Sequence, residues 1–409
     1  MAGVNYSALG ELLKRTYSSD VIAFQQNLMI PMSKFMKRAT DAKSAGGAGL
    51  YFSVSLAGDE NYGYDVDDAP LIAAGNELVK QALVSPKKFR GAFKITNFAR
   101  AMAGGNDLSF ADGLRYHVDM KLKRMLRYKE GALFRDGSGK LGQFNGGPSD
   151  TTTATAVNTP GANAFRTGML VDVLDTSTGA KKVSGAQVTA VDRLGNTVTF
   201  GTNFASLVGA SDGLYISGTQ PATGGPVSRE ITGLDAAIAS SGTYLGILRS
   251  SYPDWSGNTF SASSAFLDED MLRRAEEEIR VVGGVDFNGA QIAIHPNQKR
   301  ILDGLAVSRM RYAGGGQHDL KPDATWGDQE LIVSDQCPST TVYVGDFSYF
   351  QWFYSPDGEM RLDDTGGDTI KWLPGYDAAC GFWREWAECA VRKPNAFVKI
   401  TSLADVTNA

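Results

Sequence analysis

GLYFSVSLAGDENYGYDVDDAPLIAAGNELVKQALVSPKKFRGAFKITNF, residues 49–98, is the stretch on which the fold turns. Leu50, Phe52, Val54 and Leu56 alternate with Tyr51, Ser53 and Ser55, the period of a half-buried strand. Phe89, Phe93 and Ile95 alternate with Arg90, Lys94 and Thr96, so the return strand is expected here, after a break at Pro86 that a central strand would not tolerate. Between the runs lie Asp59, Glu60, Asp65, Asp67 and Asp68, then Pro70, Gly75 and Asn76. These carboxylates lack the spacing of a cation loop and read as a wide, solvated acidic tip. A two-stranded ribbon is marginal in water by itself, so it must lie on its own domain or on another molecule.

Upstream, residues 1–48 carry helical apolar spacing at Leu9, Leu12 and Leu13 and again at Phe24, Leu28, Met32 and Phe35, and end in SAGGAG. Lys34, Lys37 and Arg38 make this arm mildly basic, which suits a solvated helix surface or a nucleic-acid-facing one equally. Downstream, Asp107 can cap a long helix with an apolar stripe at Phe110, Leu114, Val118, Leu122, Met125, Leu126 and Leu133. One flank carries Arg115, Lys121, Lys123, Arg124, Arg127 and Lys129. Pairing with acidic neighbours is the first reading of that flank and phosphate contact, above all through Lys121 and Arg124, the second.

From residue 150 to about 226 the composition shifts to Thr, Ser, Ala and Gly, opening with TTTATAVNTPGA. Short strands at 169–174, 187–191, 197–200 and 214–217 between turns predict a small inserted β-domain. Then comes a helix capped by Ser264, with Leu267, Met271, Leu272, Ala275 and Ile279 inside, ending at Gly283-Gly284. A strand at 291–294 and a helix opening at Pro296 follow, then strands at 331–334, 341–344, 350–354, 360–362 and 396–401. The class is α+β, with mostly antiparallel strands in this late part.

The chain has 409 residues and a net charge of −5, which argues against a polybasic arm that condenses nucleic acid. Cys337, Cys380 and Cys389 form no CxxC pair and read as buried thiols of a reducing compartment. No secretion signal opens the sequence and no apolar run approaches a membrane span, so a soluble product without membrane contact is expected. GSGK at 137–140 fails as a phosphate loop, since Phe134 stands where a glycine is needed and a helix precedes rather than follows. His117, His295 and His318 are not at metal-ligand spacing. Asp363, Asp364 and Asp368 are the best metal candidate, read in preference as a turn. Trp372, Tyr376, Phe382, Trp383 and Trp386 with Glu385 and Glu388 could be cast as a sugar platform, but a core or subunit-contact role is preferred. No cofactor and no enzymatic activity are expected.

The order of elements, with ALFRDGSGKLG (132–142), IAIHPNQKRIL (292–302), VYVGDFSYFQWFYSPDGEMRL (342–362) and LPGYDAACGFWREWAECAVRKPNAFVKI (373–400), resembles the tailed-bacteriophage major capsid proteins, whose fold is shared with encapsulins and the herpesvirus capsid floor. The resemblance implies an N-terminal arm (1–48), an extended β-hairpin loop (49–97) and a peripheral domain with a long spine helix (98–149). It implies further an inserted β-rich domain (150–225), an axial domain (226–380, its first part open to assignment as peripheral) and a peripheral return (381–409). Phe52, Val54, Leu56, Phe89, Phe93 and Ile95 would then meet neighbouring subunits, and Lys34, Lys37, Arg38, Lys121 and Arg124 would face packaged double-stranded DNA.

The implied function is self-assembly into hexamers and pentamers of an icosahedral virion head, built in the host cytoplasm. Its partners would be a separate scaffolding protein, a portal and a decoration or cement protein. The tip from Asp59 to Asn76 has no lysine, so covalent cross-linking is not expected. The rival readings are an encapsulin-type compartment shell and, from another class, a β-rich surface adhesin or carbohydrate-active enzyme.

Overall fold

The computed structural model describes residues 31–32, 36–40, 43–45, 49–58, 61–64, 75–98, 107–144, 153–155, 161–193, 196–202, 204, 207–209, 212–221, 227–285, 291–310, 331–364 and 370–405, with only the backbone described at 43–45, 107–117, 153–155 and 306–310. Its centre is the strand Ala378–Val391, whose last five residues are all buried, Glu388 among them. It pairs antiparallel with Phe350–Tyr354 on one side and with Lys87–Thr96 along ten residues on the other. Gly381 has no Cβ because the Phe93 ring occupies that place. Lys37–Arg38 adds a parallel edge beside Phe350–Tyr354.

This pairing corrects the expected hairpin. Strand Gly49–Ala57 is there, but its partner is Leu78–Val84, and the run through Phe89, Phe93 and Ile95 leaves for the other sheet. Pro86 is where the chain changes sheets. The base of the ribbon is also built into its own chain: Leu50, Phe52, Leu56, Ala82 and Val84 are buried in the main core, and Phe52 stacks on Phe353 with ring centroids 5.6 Å apart. Ile95 is buried as well, while Val54, Phe89 and Phe93 are half-buried. Phe52 and Leu56 thus pack in this chain's own main core, and Ile95 is buried within the sheet it shares with Ala378–Val391.

A second body is a five-stranded sheet in the order Asn258–Ser261, Phe397–Thr401, Val342–Gly345, Gln291–Ile294, Leu331–Val333. Two of its four pairings are parallel and two antiparallel, where mostly antiparallel strands were expected. Gln291–Ile294 and Leu331–Val333 run parallel because helix Pro296–Met310 lies between them in the chain, as a crossover requires. The closing strand joins this sheet, and a boundary at 380/381 falls inside Ala378–Val391. Helix Glu269–Gly283 packs on the sheet through Leu272, Ala275 and Ile279. Its cap is Asp268, which accepts from the Met271 amide at 2.8 Å, and not Ser264, which sits in a turn at φ 62°.

The long helix spans Asp107–Ala132. Of the apolar stripe among its described side chains, Met125 is buried, whereas Val118, Leu122 and Leu126 are only half-buried. Its last turns instead bury Arg127 and Glu130, and the chain just beyond buries Arg135.

The segment expected to be an insert forms a six-stranded antiparallel sheet together with Lys140–Gln143, which precedes it. Phe144, Phe165, Val171, Val173, Val188, Phe200, Phe204 and Leu214 fill its core. Asp172 is its polar hub, fully buried and accepting from Lys181 Nζ (2.7 Å) and the Gly185 and Gly218 amides (2.8 and 3.0 Å). Burial alone would push its carboxyl up, but the Lys181 ammonium and the two amides hold it below the usual carboxylate range. Asp172→Ala should therefore cost about 3–5 kcal/mol in urea unfolding and open the insert to proteases, because it strands a partly buried ammonium and two amides. The contribution is present above the carboxyl's unfolded pKa and is lost as pH falls through its lower folded value.

Candidate functional site

Among the described residues, large apolar side chains break the surface at many positions, and at three places several of them lie close together in sequence. On the ribbon and its loop, Tyr64 is fully exposed, Tyr62 is 76% exposed and Val79 50%. At the turn after Lys371–Trp372, Trp372 and Tyr376 project with Ile370. At the end of helix Glu269–Gly283, Val281 and Val282 are exposed on an otherwise charged surface laced by three i,i+4 ion pairs. Single exposed apolar residues are ordinary, and these three groups fall on a ribbon, a hairpin tip and a helix end.

Behind these surfaces, the end of the long helix is tied to the central sheet by buried charge. Lys129 pairs with Glu385 and its ammonium lies 3.8 Å from the Trp352 ring centroid. Arg135 pairs with Glu230 at 2.7 Å, and Arg127 with Asp335. Among the described residues Glu388 has no cation within ion-pair distance; its Oε1 accepts from the Thr232 and Cys389 amides at 2.6 and 3.1 Å. Burial pushes its carboxyl up to about 8, with nearby Glu230 adding to the rise and the two amides and Lys87 opposing it.

A carboxyl raised in the folded state gives its full stability below the unfolded value, near 4.5, and loses it as pH climbs through the folded value. Glu388→Gln, which keeps the acceptor and removes the charge, should match the parent near pH 5 and exceed it by on the order of 2 kcal/mol at pH 9. Paired denaturant titrations at the two pH values check this.

The catalytic readings lose their geometry. Glu385 and Glu388 lie three residues apart on one strand and so face opposite sides of the sheet. They cannot flank one bond. Cys337 and Cys389 are buried, and burial raises both thiols well above the ordinary value, which suppresses the thiolate. Cys380 is likewise buried. Asp363 pairs with Lys371 and Arg384, and Asp364 with Arg384, so these carboxylates already have cations. Asp368 lies outside the described residues, among which no cluster suited to a metal ion occurs. Also among the described residues, no helix is long and apolar enough to cross a membrane. Lys140 of GSGK starts a strand, after an Asp136–Ser138 turn.

Of the basic residues singled out in sequence, Lys34 lies outside the described residues. Lys37 and Arg38 are exposed on the edge strand, where Arg38 pairs with Glu359. Lys121 and Arg124 line a cleft of about 870 Å³ between the long helix, strand Lys87–Thr96 and the insert. Sequence reasoning missed the cleft's other wall, Arg166 and Arg193, because isolated arginines in a Thr/Ala/Gly-rich segment make no pattern. It also missed Val281 and Val282, whose signal was available: two valines in the last turn of an acidic helix.

No protein-family description matches this chain, and no curated protein matches it. Solved structures do. The chain superposes on the cyanophage A-1(L) capsid asymmetric unit at a TM-score of 0.58, with 12% identity over 95% of this chain and 96% of that one. The capsid of the native GTA particle gives 0.51, with 8% identity over 97% of each chain. The chain has the phage capsid fold.

Proposed function

We propose that this chain is the structural subunit of an icosahedral phage head, assembling through hexamers and pentamers into the shell that encloses double-stranded DNA. One observation carries the proposal: the capsid fold runs through nearly the whole chain, insert and ribbon included, rather than through one domain. The exposed apolar clusters supply contacts between copies, and each contact can be modest because a closed lattice multiplies it. The ribbon acts beyond its buried base, through the loop between Ala57 and Leu78.

The function is structural, not enzymatic. The arm (1–48), loop (49–97), peripheral and axial portions and insert keep the roles expected of them, with the insert drawn from Lys140 onward. A scaffolding protein, a portal and a decoration protein are the further partners. Assembly takes place in the host cytoplasm, and the virion head is the final location. Neither the encapsulin-type compartment nor the adhesin is favoured by any feature of the site.

Sedimentation velocity of the purified chain tests the reading. Species of five, six or many more copies, growing with concentration or with a co-expressed scaffolding protein, are expected. A 43.8 kDa monomer under all these conditions would refute it.

A further inference from the structure

Strand Lys87–Thr96 is an edge of the central sheet: among the described residues it pairs with Ala378–Val391 alone. Successive side chains of a strand point to opposite sides, so its two faces carry different chemistry. Phe89 stacks on Tyr128 of the long helix at 5.8 Å, and the absent Cβ of Gly91 leaves room for Met125 of the same helix. Lys88, Arg90, Ala92 and Lys94 therefore lie on the face turned away from that helix.

The neighbouring strands extend this face. Residues directly opposed in a sheet share a side, and the register sets Lys88 beside Trp386, Arg90 beside Arg384 and Lys94 beside Cys380. Across Ala378–Val391, Arg361 stands opposite Arg384 and Lys371 opposite Cys380. Arg361, Arg384 and Arg90 thus form one row over three strands, with Lys371 and Lys94 in a second. Like charges directly opposite each other cost stability, so the fold holds this array against a penalty. Asp363 and Asp364 relieve Arg384 and Lys371. Lys88 and Arg90 are exposed, Lys94 is half-buried, and among the described residues none of the three is in an ion pair. Lys94 Nζ lies 4.5 Å from the Tyr376 ring centroid and the Arg384 guanidinium 4.9 Å from that of Trp386, contacts that hold cations in place without neutralising them.

Alternate residues of a strand are about 6.7 Å apart, so Lys88 and Arg90 present charge at regular intervals along an exposed edge, with more behind. Such an array suits repeated phosphates, whose contact positions a duplex without reading its bases. We propose that this face, led by Lys88, Arg90 and Lys94, meets the phosphate backbone of double-stranded DNA and turns toward the inside of the shell. The choice of partner rests on the shell reading above. The face replaces Lys37, Arg38, Lys121 and Arg124, the cations of the arm and the helix flank, as the principal contact.

The test is fluorescence anisotropy of a short labelled duplex with the full chain, kept as unassembled subunits, over roughly 50 to 200 mM salt. Saturable binding that ignores sequence is expected, with a logarithmic salt slope of about −3, since three phosphate contacts contribute about −0.9 each. The variant Lys88→Gln/Arg90→Gln/Lys94→Gln should bind roughly tenfold more weakly or worse with a flattened slope. Lys121→Gln/Lys123→Gln on the helix flank should bind as the parent does. Should the triple variant misfold by circular dichroism, Arg90→Gln alone should still reduce the slope by about one. Absence of duplex binding, binding undiminished by the sheet variants, or a larger loss from the flank variant overturns the proposal. So does displacement of the duplex by a peptide of residues 58–77, which would give the face to the acidic loop of a second copy. Shells formed by a chain that binds no duplex would end the proposal and leave the shell reading intact, whereas a chain that never assembles removes both.

Discussion

Replacing residues 58–77 by an Asn-Gly turn is expected to leave a folded chain that no longer closes into shells. Ala57 and Leu78 stand opposite each other in the ribbon, so a two-residue connection can join them. The packing that fixes the ribbon lies at its base, in Leu50, Phe52, Leu56, Ala82 and Val84, none of which is removed. The excised segment holds the acidic residues Asp59, Glu60, Asp65, Asp67 and Asp68 and the exposed Tyr62 and Tyr64. Stability should change by less than about 1 kcal/mol, since long surface loops add little to closure entropy. Assembly should be abolished. Melting curves and electron micrographs of the same preparation separate the two effects, and shells from the shortened chain would show that the loop is not the interlocking element.

The second large effect is expected at Gly233. A Cβ there would stand 2.5 Å from the carbonyl oxygens of Ala132, Leu133 and Arg135, the backbone at and just beyond the end of the long helix. The Leu234 amide donates to the Leu133 oxygen at 2.7 Å, which fixes this approach. Backbone on both sides leaves nothing to yield, and Leu133, Phe134 and Leu234 around it are fully buried. Gly233→Val should cost more than about 3 kcal/mol and lower the soluble yield, with Gly233→Ala also destabilised, because overpacking against backbone cannot relax by a change of rotamer. An unchanged denaturation midpoint for Gly233→Val would mean that the helix end is not locked as described.

Much of this fold was legible because its elements are periodic. The long helix, the amphipathic helix ending at Gly283, Pro296 at a helix start and the late strands all announce themselves by spacing and punctuation. Strand pairing did not. Leu78–Val84 buries only Ala82 and Val84, so its alternation is faint beside that of Phe89, Phe93 and Ile95, and the stronger run presents itself as the ribbon's return. Its true partner, Ala378–Val391, is far away in sequence, and nothing local encodes a pairing at that range. Ser264 and Asp268 have equal chemical claim to cap a helix, and only the backbone decides between them.

Site reasoning failed for a related reason. An alternating apolar face says that a strand is covered, not by what, and here the chain's own core covers Phe52 and Leu56. The basic cleft was half visible, as the Lys121–Arg124 flank of a helix. Its other half required knowing where the insert folds.

Cryo-electron microscopy of particles from cells expressing this chain tests the central claim most directly. The account predicts closed icosahedral shells in which the loop between Ala57 and Leu78 lies across a neighbouring copy while Phe52 remains stacked on Phe353 of its own chain. Isolated single copies, with that loop folded against their own body and no lattice in any preparation, would contradict it.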